Sequence, residues 1–199
     1  PLQLDTSNPA AMEAALRLYN GKAMINSVNG KQESMDAIFP LAKKYGGVIV
    51  ALTLDENGIP DTADGRGKIA EKILAVAASY GIAKTDIVFD PLAMTVSADR
   101  QAAITTLTAL RRIREELRCH TSLGVSNVSF GLPNRDVVNS VFFTMALEEG
   151  LSAAIMNPYS AEMRKVYYTC RMLRGMDENC ADYITNAASF TAAAESDTQ

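Results

Sequence analysis

Ser122-Leu123-Gly124-Val125-Ser126-Asn127-Val128-Ser129 is a short apolar run that breaks off into small and polar residues, with an asparagine amide at its tip. This is how a buried strand looks when it hands a side chain to a pocket. The pattern recurs three times: residues 2–4 end at Asp5-Thr6-Ser7, residues 23–25 at Asn26-Ser27, and residues 86–89 at Asp90-Pro91. Four strand ends therefore each carry a carboxylate or a carboxamide. In a closed parallel barrel the C-terminal strand ends converge on one face, where such barrels build their sites.

Outward from these ends the chain alternates between strand and helix patterns. Asn8 is a cap candidate and Pro9 a suitable first helical residue, so a helix is expected over 9–19. A strand over 23–27 and a helix over 34–45 follow. The uniform apolar run Val48-Ile49-Val50-Ala51-Leu52 reads as a strand buried on both faces. Gly58-Ile59-Pro60-Asp61 marks a loop. Beyond it come a helix over 64–80, a strand over 87–90, a helix over 99–118 and a strand over 121–125. Residues 134–149 read as a helix whose buried face holds Val138, Val141, Phe142, Met145 and Ala146. A strand over 153–156 and a helix over 161–173 are the last regular elements expected.

Six strand–helix units predict a parallel sheet, either open and doubly wound or closed as a barrel. No glycine-rich dinucleotide fingerprint follows the first strand, because Asp5-Thr6-Ser7-Asn8-Pro9 stands in its place. The expectation is an α/β TIM-type (β/α)8 barrel. Such a barrel has eight units in about 250 residues, so a chain of 199 residues that begins at Pro1 almost directly in a strand reads as a fragment lacking the first two strands. The expected organisation is a barrel domain over 1–188 and a linker or disordered tail over 189–199.

Composition narrows the class. With 48% hydrophobic and 21% charged residues the chain has material for one core. It shows neither an apolar run of about 20 residues nor a signal-peptide pattern, and a cytoplasmic protein without membrane attachment is expected. Arg111, Arg112, Arg114 and Arg118 are interleaved with Glu115 and Glu116, and the net charge is -4, which describes a solvated helix face and not a nucleic-acid surface. Cys119, Cys170 and Cys180 lack metal-site or disulfide spacing. His120, the single histidine, stands where a strand begins, at the wrong end for barrel chemistry.

Asp5, Asn26, Asp90 and Asn127 share a chemical character. They make directional hydrogen bonds and are not obvious nucleophiles. A carboxylate accepts two parallel hydrogen bonds from an amidine-like edge, and a carboxamide donates and accepts across a ring. The set suits a flat heterocycle with adjacent ring NH and amino groups, such as a pterin or a guanine. The competing reading is structural: Asp5 and Asn26 cap the following helices and Asn127 satisfies a turn.

LDTSNP at 4–9, MINSVNG at 24–30, ALTLDENGIPDTADGR at 51–66, FDPL at 89–92 and LGVSNVSFGLPNR at 123–135 together resemble the pterin-binding methyltransferase family. That family includes methyltetrahydrofolate–corrinoid methyltransferases and the folate domain of cobalamin-dependent methionine synthase. The resemblance runs from about residue 2 to residue 185. It implies a barrel of the dihydropteroate synthase-like type that binds 5-methyltetrahydrofolate and passes its methyl group to cob(I)alamin on a corrinoid-binding domain or protein. Carried over, Asp5, Asn26 and Asp90 would hold the pterin, and Asn127 would hydrogen-bond the methyl-bearing nitrogen as the catalytic residue. Gly124 and Ser126 would shape the floor beside it, with Arg135 near the mouth. A homocysteine-binding domain is a further partner the resemblance suggests, and the two exposed sheet edges of a six-unit fragment suggest a homodimer.

Three rivals are weighed against this. Dihydropteroate synthase would show Arg-x-His near the last strand, where the chain reads Ala154-Ile155-Met156-Asn157-Pro158. A Schiff-base aldolase would need a strand-end lysine. A pterin-binding module without turnover is compatible with the same fold.

Overall fold

The computed structural model of the chain describes residues 1–191. Six parallel strands form one sheet in the sequential order β1-β2-β3-β4-β5-β6. They are β1 (Gln3–Asp5), β2 (Ala23–Asn29), β3 (Gly47–Leu52), β4 (Ile87–Asp90), β5 (His120–Gly124) and β6 (Ala153–Ile155). A doubly wound sheet reverses its strand order at a switch point. Here the order never reverses, as in a barrel, and the sheet curls into an open half-barrel with β1 and β6 at its edges.

The helices that follow the strands are α1 (Pro9–Leu18), α2 (Gln32–Tyr45), α3 (Ala63–Ser79), α4 (Ala102–Glu115), α5 (Arg135–Glu148) and α6 (Ala161–Leu173). The start of α1 shows why they begin where they do. Asn8 Oδ1 accepts from Ala10 N at 2.9 Å and Ala11 N at 3.2 Å, and Pro9 supplies the first helical φ.

The core lies in two clusters. Met12, Ile25, Phe39, Ile49, Ile73 and Phe89 are fully buried between β1–β4 and α1–α3. Leu110, Leu123, Val125, Phe142 and Phe143 pack β5 and β6 against α4–α6. Burying each large side chain contributes about 1.5–3 kcal/mol, so the six central residues of the first cluster anchor the strands whose ends carry the polar groups.

Four expectations are corrected. Helix α6 is not the last: α7 (Ala181–Thr191) follows it. Both Asp177 carboxylate oxygens accept backbone N–H groups, from Asp182 and Tyr183, at 2.9 Å, and Phe190 packs near the Tyr168 and Tyr183 rings. Residues 189–191 of the expected tail thus belong to a helix, and residues 192–199 lie outside the described residues. In α5 the buried face is Asn139, Ser140, Phe142, Phe143 and Ala146, while Val141 is 57% and Met145 45% exposed. Strand β5 stops at Gly124, and residues 125–129 form a 3-10 turn. Strand β2 runs on to Asn29 through a register shift between Asn26 and Val28, so Asn26 sits at an irregularity within the strand.

Candidate functional site

Because all six strands are parallel, the ends at Asp5, Asp90 and Gly124 face the same side of the sheet. Asp5 pairs in register with Asn26, and Asp90 with Leu52, which is itself level with Asn29. The strands thus deliver the polar residues in a row across one rim. His120 opens β5, at the opposite rim, and is exposed.

Asp5 and Asn26 line one cleft of about 510 Å³, together with Thr6, Ser27, Lys31 and Ser34. Its wall is held by local bonds: Asn29 Oδ1 accepts from Lys31 N at 3.0 Å, and Ser34 Oγ accepts from Asn29 N at 3.1 Å. Gly30 lets this loop touch its neighbour, since a Cβ there would lie 2.9 Å from Leu54 O and 2.8 Å from Ile69 Cγ2. The structural reading of Asp5 and Asn26 fails. Helix α1 is capped by Asn8, α2 starts after Lys31, and neither the Asp5 nor the Asn26 side chain makes a hydrogen bond among the described residues.

Asp90 is the last residue of β4 and only 6% exposed. Burial pushes its carboxyl up to about 6, against the opposing pull of the Leu92 N–H, the Gly124 backbone and the Arg66 charge. The Leu92 N–H donates to Asp90 Oδ1 at 2.8 Å.

The 3-10 turn after β5 carries Ser126 and Asn127, both exposed. The Asn127 carboxamide makes no hydrogen bond among the described residues, so the turn reading fails here too. Its Nδ2 would lie 3.1 Å from a Cβ at Gly124, and the glycine is what gives the amide its room. Arg135 braces this turn: Nε donates to Ser129 Oγ at 3.0 Å, Nη2 donates to Ser126 O at 2.8 Å, and the guanidinium lies 4.6 Å from the Phe130 ring centre.

Ser126 and Arg135 line a second cleft of about 320 Å³, with Asn139, Asn157 and Ser160. The sequence-predicted residues therefore fall into three places on one rim: Asp5 and Asn26 in the first cleft, Ser126 and Arg135 in the second. Asp90, Gly124 and Asn127 line neither cleft.

One residue escaped the sequence reading. Arg66 in α3 is 3% exposed, and its Nη1 donates to Pro91 O at 2.7 Å and Leu92 O at 2.9 Å, directly after Asp90. It stood inside the quoted run 51–66, but nothing in the sequence marks an arginine as buried.

Comparison with known proteins adds to this geometry. A family model described as pterin binding enzyme matches residues 1–157. A methylcorrinoid:tetrahydrofolate methyltransferase of Eubacterium limosum is 30% identical over 186 residues, covering 92% of this chain and 69% of that protein. Methionine synthases of Mycobacterium tuberculosis (strain ATCC 25618 / H37Rv) and Mycobacterium leprae (strain TN) are 34% and 33% identical over 170 residues. The chain spans 14% of the length of each synthase. A dihydropteroate synthase structure from Yersinia pestis superposes with a TM-score of 0.57 at 14% identity, over 84% of this chain and 78% of that one. That likeness is one of fold.

Proposed function

The chain belongs to the pterin-binding enzyme family, and from that premise we propose that it binds 5-methyltetrahydrofolate and exchanges the methyl group with cob(I)alamin carried on another domain or protein. The observation that carries this reading is the state of the rim. A buried, oriented carboxylate (Asp90) shares it with three polar side chains, Asp5, Asn26 and Asn127, that have no hydrogen-bond partner among the described residues.

In this reading Asp90 accepts from the pterin ring NH and amino group, and Asp5 and Asn26 hold other edges of the ring. Asp90 does this as an anion, so pterin affinity rises as pH climbs through about 6 and levels off above it. Asn127 donates to the methyl-bearing nitrogen. When the methyl carbon leaves, the C–N electron pair stays on nitrogen, and a tertiary amine is a poor leaving group unless that pair gains a proton or a strong hydrogen bond. A bond that strengthens in the transition state is catalytic, whereas equal binding of substrate and transition state is not. A carboxamide does not titrate, so the proton comes from solvent, to which the exposed Asn127 lies open. The corrinoid supplies the nucleophile that takes the methyl group. Gly124 and Ser126 leave space beside the nitrogen, and Arg135 keeps the Asn127 turn in place.

The Eubacterium limosum relative is named for transfer from a methylcorrinoid to tetrahydrofolate. The same groups serve both directions, since each stabilises one shared transition state. A dihydropteroate synthase-like activity has no support from the end of β6, where the chain continues through Met156 and Asn157 with neither arginine nor histidine.

Calorimetric titration with 5-methyltetrahydrofolate, followed by spectrophotometric transfer assays with cob(I)alamin, tests the reading. Binding should be lost in Asp90→Ala. In Asn127→Ala the transfer rate should fall about 100-fold while affinity changes far less. Binding without transfer would identify a pterin-binding module, and no binding at all would sink the proposal.

A further inference from the structure

We infer that Arg66 is a positioning residue for Asp90: it pins the two carbonyls that follow the aspartate and so holds the Leu92 N–H against the carboxylate. The inference deepens the pterin reading of Asp90 and rests on it.

Three observations converge. First, the chain after Asp90 adopts a conformation that needs holding. Leu92 has φ 65°, in the left-handed region that side chains other than those of Gly, Asn and Asp rarely occupy. In that conformation its N–H meets Asp90 Oδ1 at 2.8 Å.

Second, Arg66 is what holds it. Nη1 has two hydrogens, and its two shortest contacts are Pro91 O at 2.7 Å and Leu92 O at 2.9 Å. Nε donates to Pro60 O at 3.0 Å, tying the same guanidinium to the loop before α3. Thr106 Oγ1 in α4 lies 3.1 Å from both Nη1 and Leu92 O and completes the grip.

Third, Arg66 gains little from its burial. It forms no ion pair among the described residues, and desolvation lowers its pKa from the ordinary arginine value. A buried arginine bonded to carbonyls and a hydroxyl without a carboxylate partner is costly to keep unless what it holds requires it.

The charge matters as well as the grip. Arg66 is the one charged group acting on Asp90 among the described residues, with the Leu92 and Gly124 backbone as the other polar influences. Asp61, in the loop before α3, acts on Arg66 in turn.

The test follows the Asp90 carboxyl carbon by NMR between about pH 4 and about pH 8 in the ligand-free chain. It compares wild type, Arg66→Gln and Arg66→Lys, with 5-methyltetrahydrofolate calorimetry in parallel. Gln keeps a donor and loses the charge, while Lys keeps the charge and loses the planar fork. In Arg66→Gln the titration midpoint should move up by about one unit. In Arg66→Lys it should rise by less than in Arg66→Gln, because the charge stays while the Leu92 N–H is released. At the alkaline end, where Asp90 is ionised in all three, both variants should bind at least about threefold more weakly because Leu92 is no longer held. An unmoved midpoint in Arg66→Gln, or unchanged alkaline binding in both variants, would overturn the inference and leave Arg66 as a staple between elements. If wild type binds no pterin, the titrations still decide the coupling of Arg66 to Asp90, and the pterin reading falls by itself.

Discussion

Asp90→Asn should make the protein more stable at neutral pH while removing the pterin contact proposed for it. The carboxyl titrates at about 6 in the folded chain against an ordinary 3.8, with desolvation as the leading cause. A raised acid pKa means that the folded state holds the proton more tightly than the unfolded state. Stability from this group is therefore complete below the unfolded value and is lost as pH rises towards the folded one. At 1.36 kcal/mol per unit the ionised carboxylate costs about 3 kcal/mol above pH 6. Asparagine escapes that cost. It keeps an oxygen for the Leu92 N–H but turns an NH2 towards the Gly124 backbone, which subtracts about 1 kcal/mol. Urea unfolding should thus find the variant about 1 kcal/mol less stable near pH 3 and about 2 kcal/mol more stable at about pH 7.5, with the crossover between. A stability difference that does not change with pH, or a variant that is less stable at pH 7.5, would refute the reasoning that Asp90 is held against its own desolvation for the sake of a ligand.

Gly124→Ala should separate catalysis from stability. The new Cβ would stand 3.1 Å from Asn127 Nδ2, and Gly124 has φ -74°, so the backbone tolerates alanine while the amide retreats a few tenths of an ångström. Methyl transfer should fall about tenfold with unfolding free energy unchanged within about 0.5 kcal/mol, and an unaltered rate would show that the amide position is not what counts. Asn8→Ala removes the acceptor for Ala10 N and Ala11 N at the start of α1. It should cost about 1 kcal/mol, a fall in melting temperature of about 2–4 °C with pterin affinity unchanged.

What the sequence made legible follows from how each feature is encoded. The strands of the sheet centre were readable because Val48 to Leu52 is apolar without interruption, with Ile49, Val50 and Ala51 buried in β3, and the start of α1 because Asn8-Pro9 is a local signal that acts locally. The phase of α5 was not. Two apolar stripes run along that helix, one with Val138, Phe142 and Ala146 and one with Val137, Val141 and Met145, and periodicity cannot say which meets the core. Helix α7 was missed because what ties it to the rest of the fold is tertiary, the ring contact from Phe190 to Tyr168 of α6, while the Asp177 acceptor at its start and the Tyr183–Phe190 contact are local to it. At the rim, residue type and strand position located Asp5 and Asp90 at their strand ends and Asn127 just beyond the end of β5. Asn26 reads as a tip in the sequence but lies within its strand, since a register shift carries β2 onward. Arg66 was invisible for the same reason that it is informative, because its meaning lies in burial and in carbonyls from a different strand end.

The contrast between Asp90 and Asn127 has a physical logic under the proposed reading. Recognition of a heterocycle edge through two parallel hydrogen bonds gains most where water cannot compete, so the recognising carboxylate is buried and its orientation is fixed by the Leu92 N–H. Methyl exchange requires the opposite surroundings. The nitrogen must receive a proton from solvent, and a corrinoid on another domain or protein must approach the methyl carbon from outside. The amide that serves this step therefore sits on an exposed 3-10 turn beyond the end of β5, with glycine beside it and Arg135 bracing it from behind. Moving Asn127 inward would shield its hydrogen bond and close the path that the reaction uses. Moving Asp90 outward would relieve about 3 kcal/mol of strain on its charge and surrender the dry surroundings that make its hydrogen bonds selective.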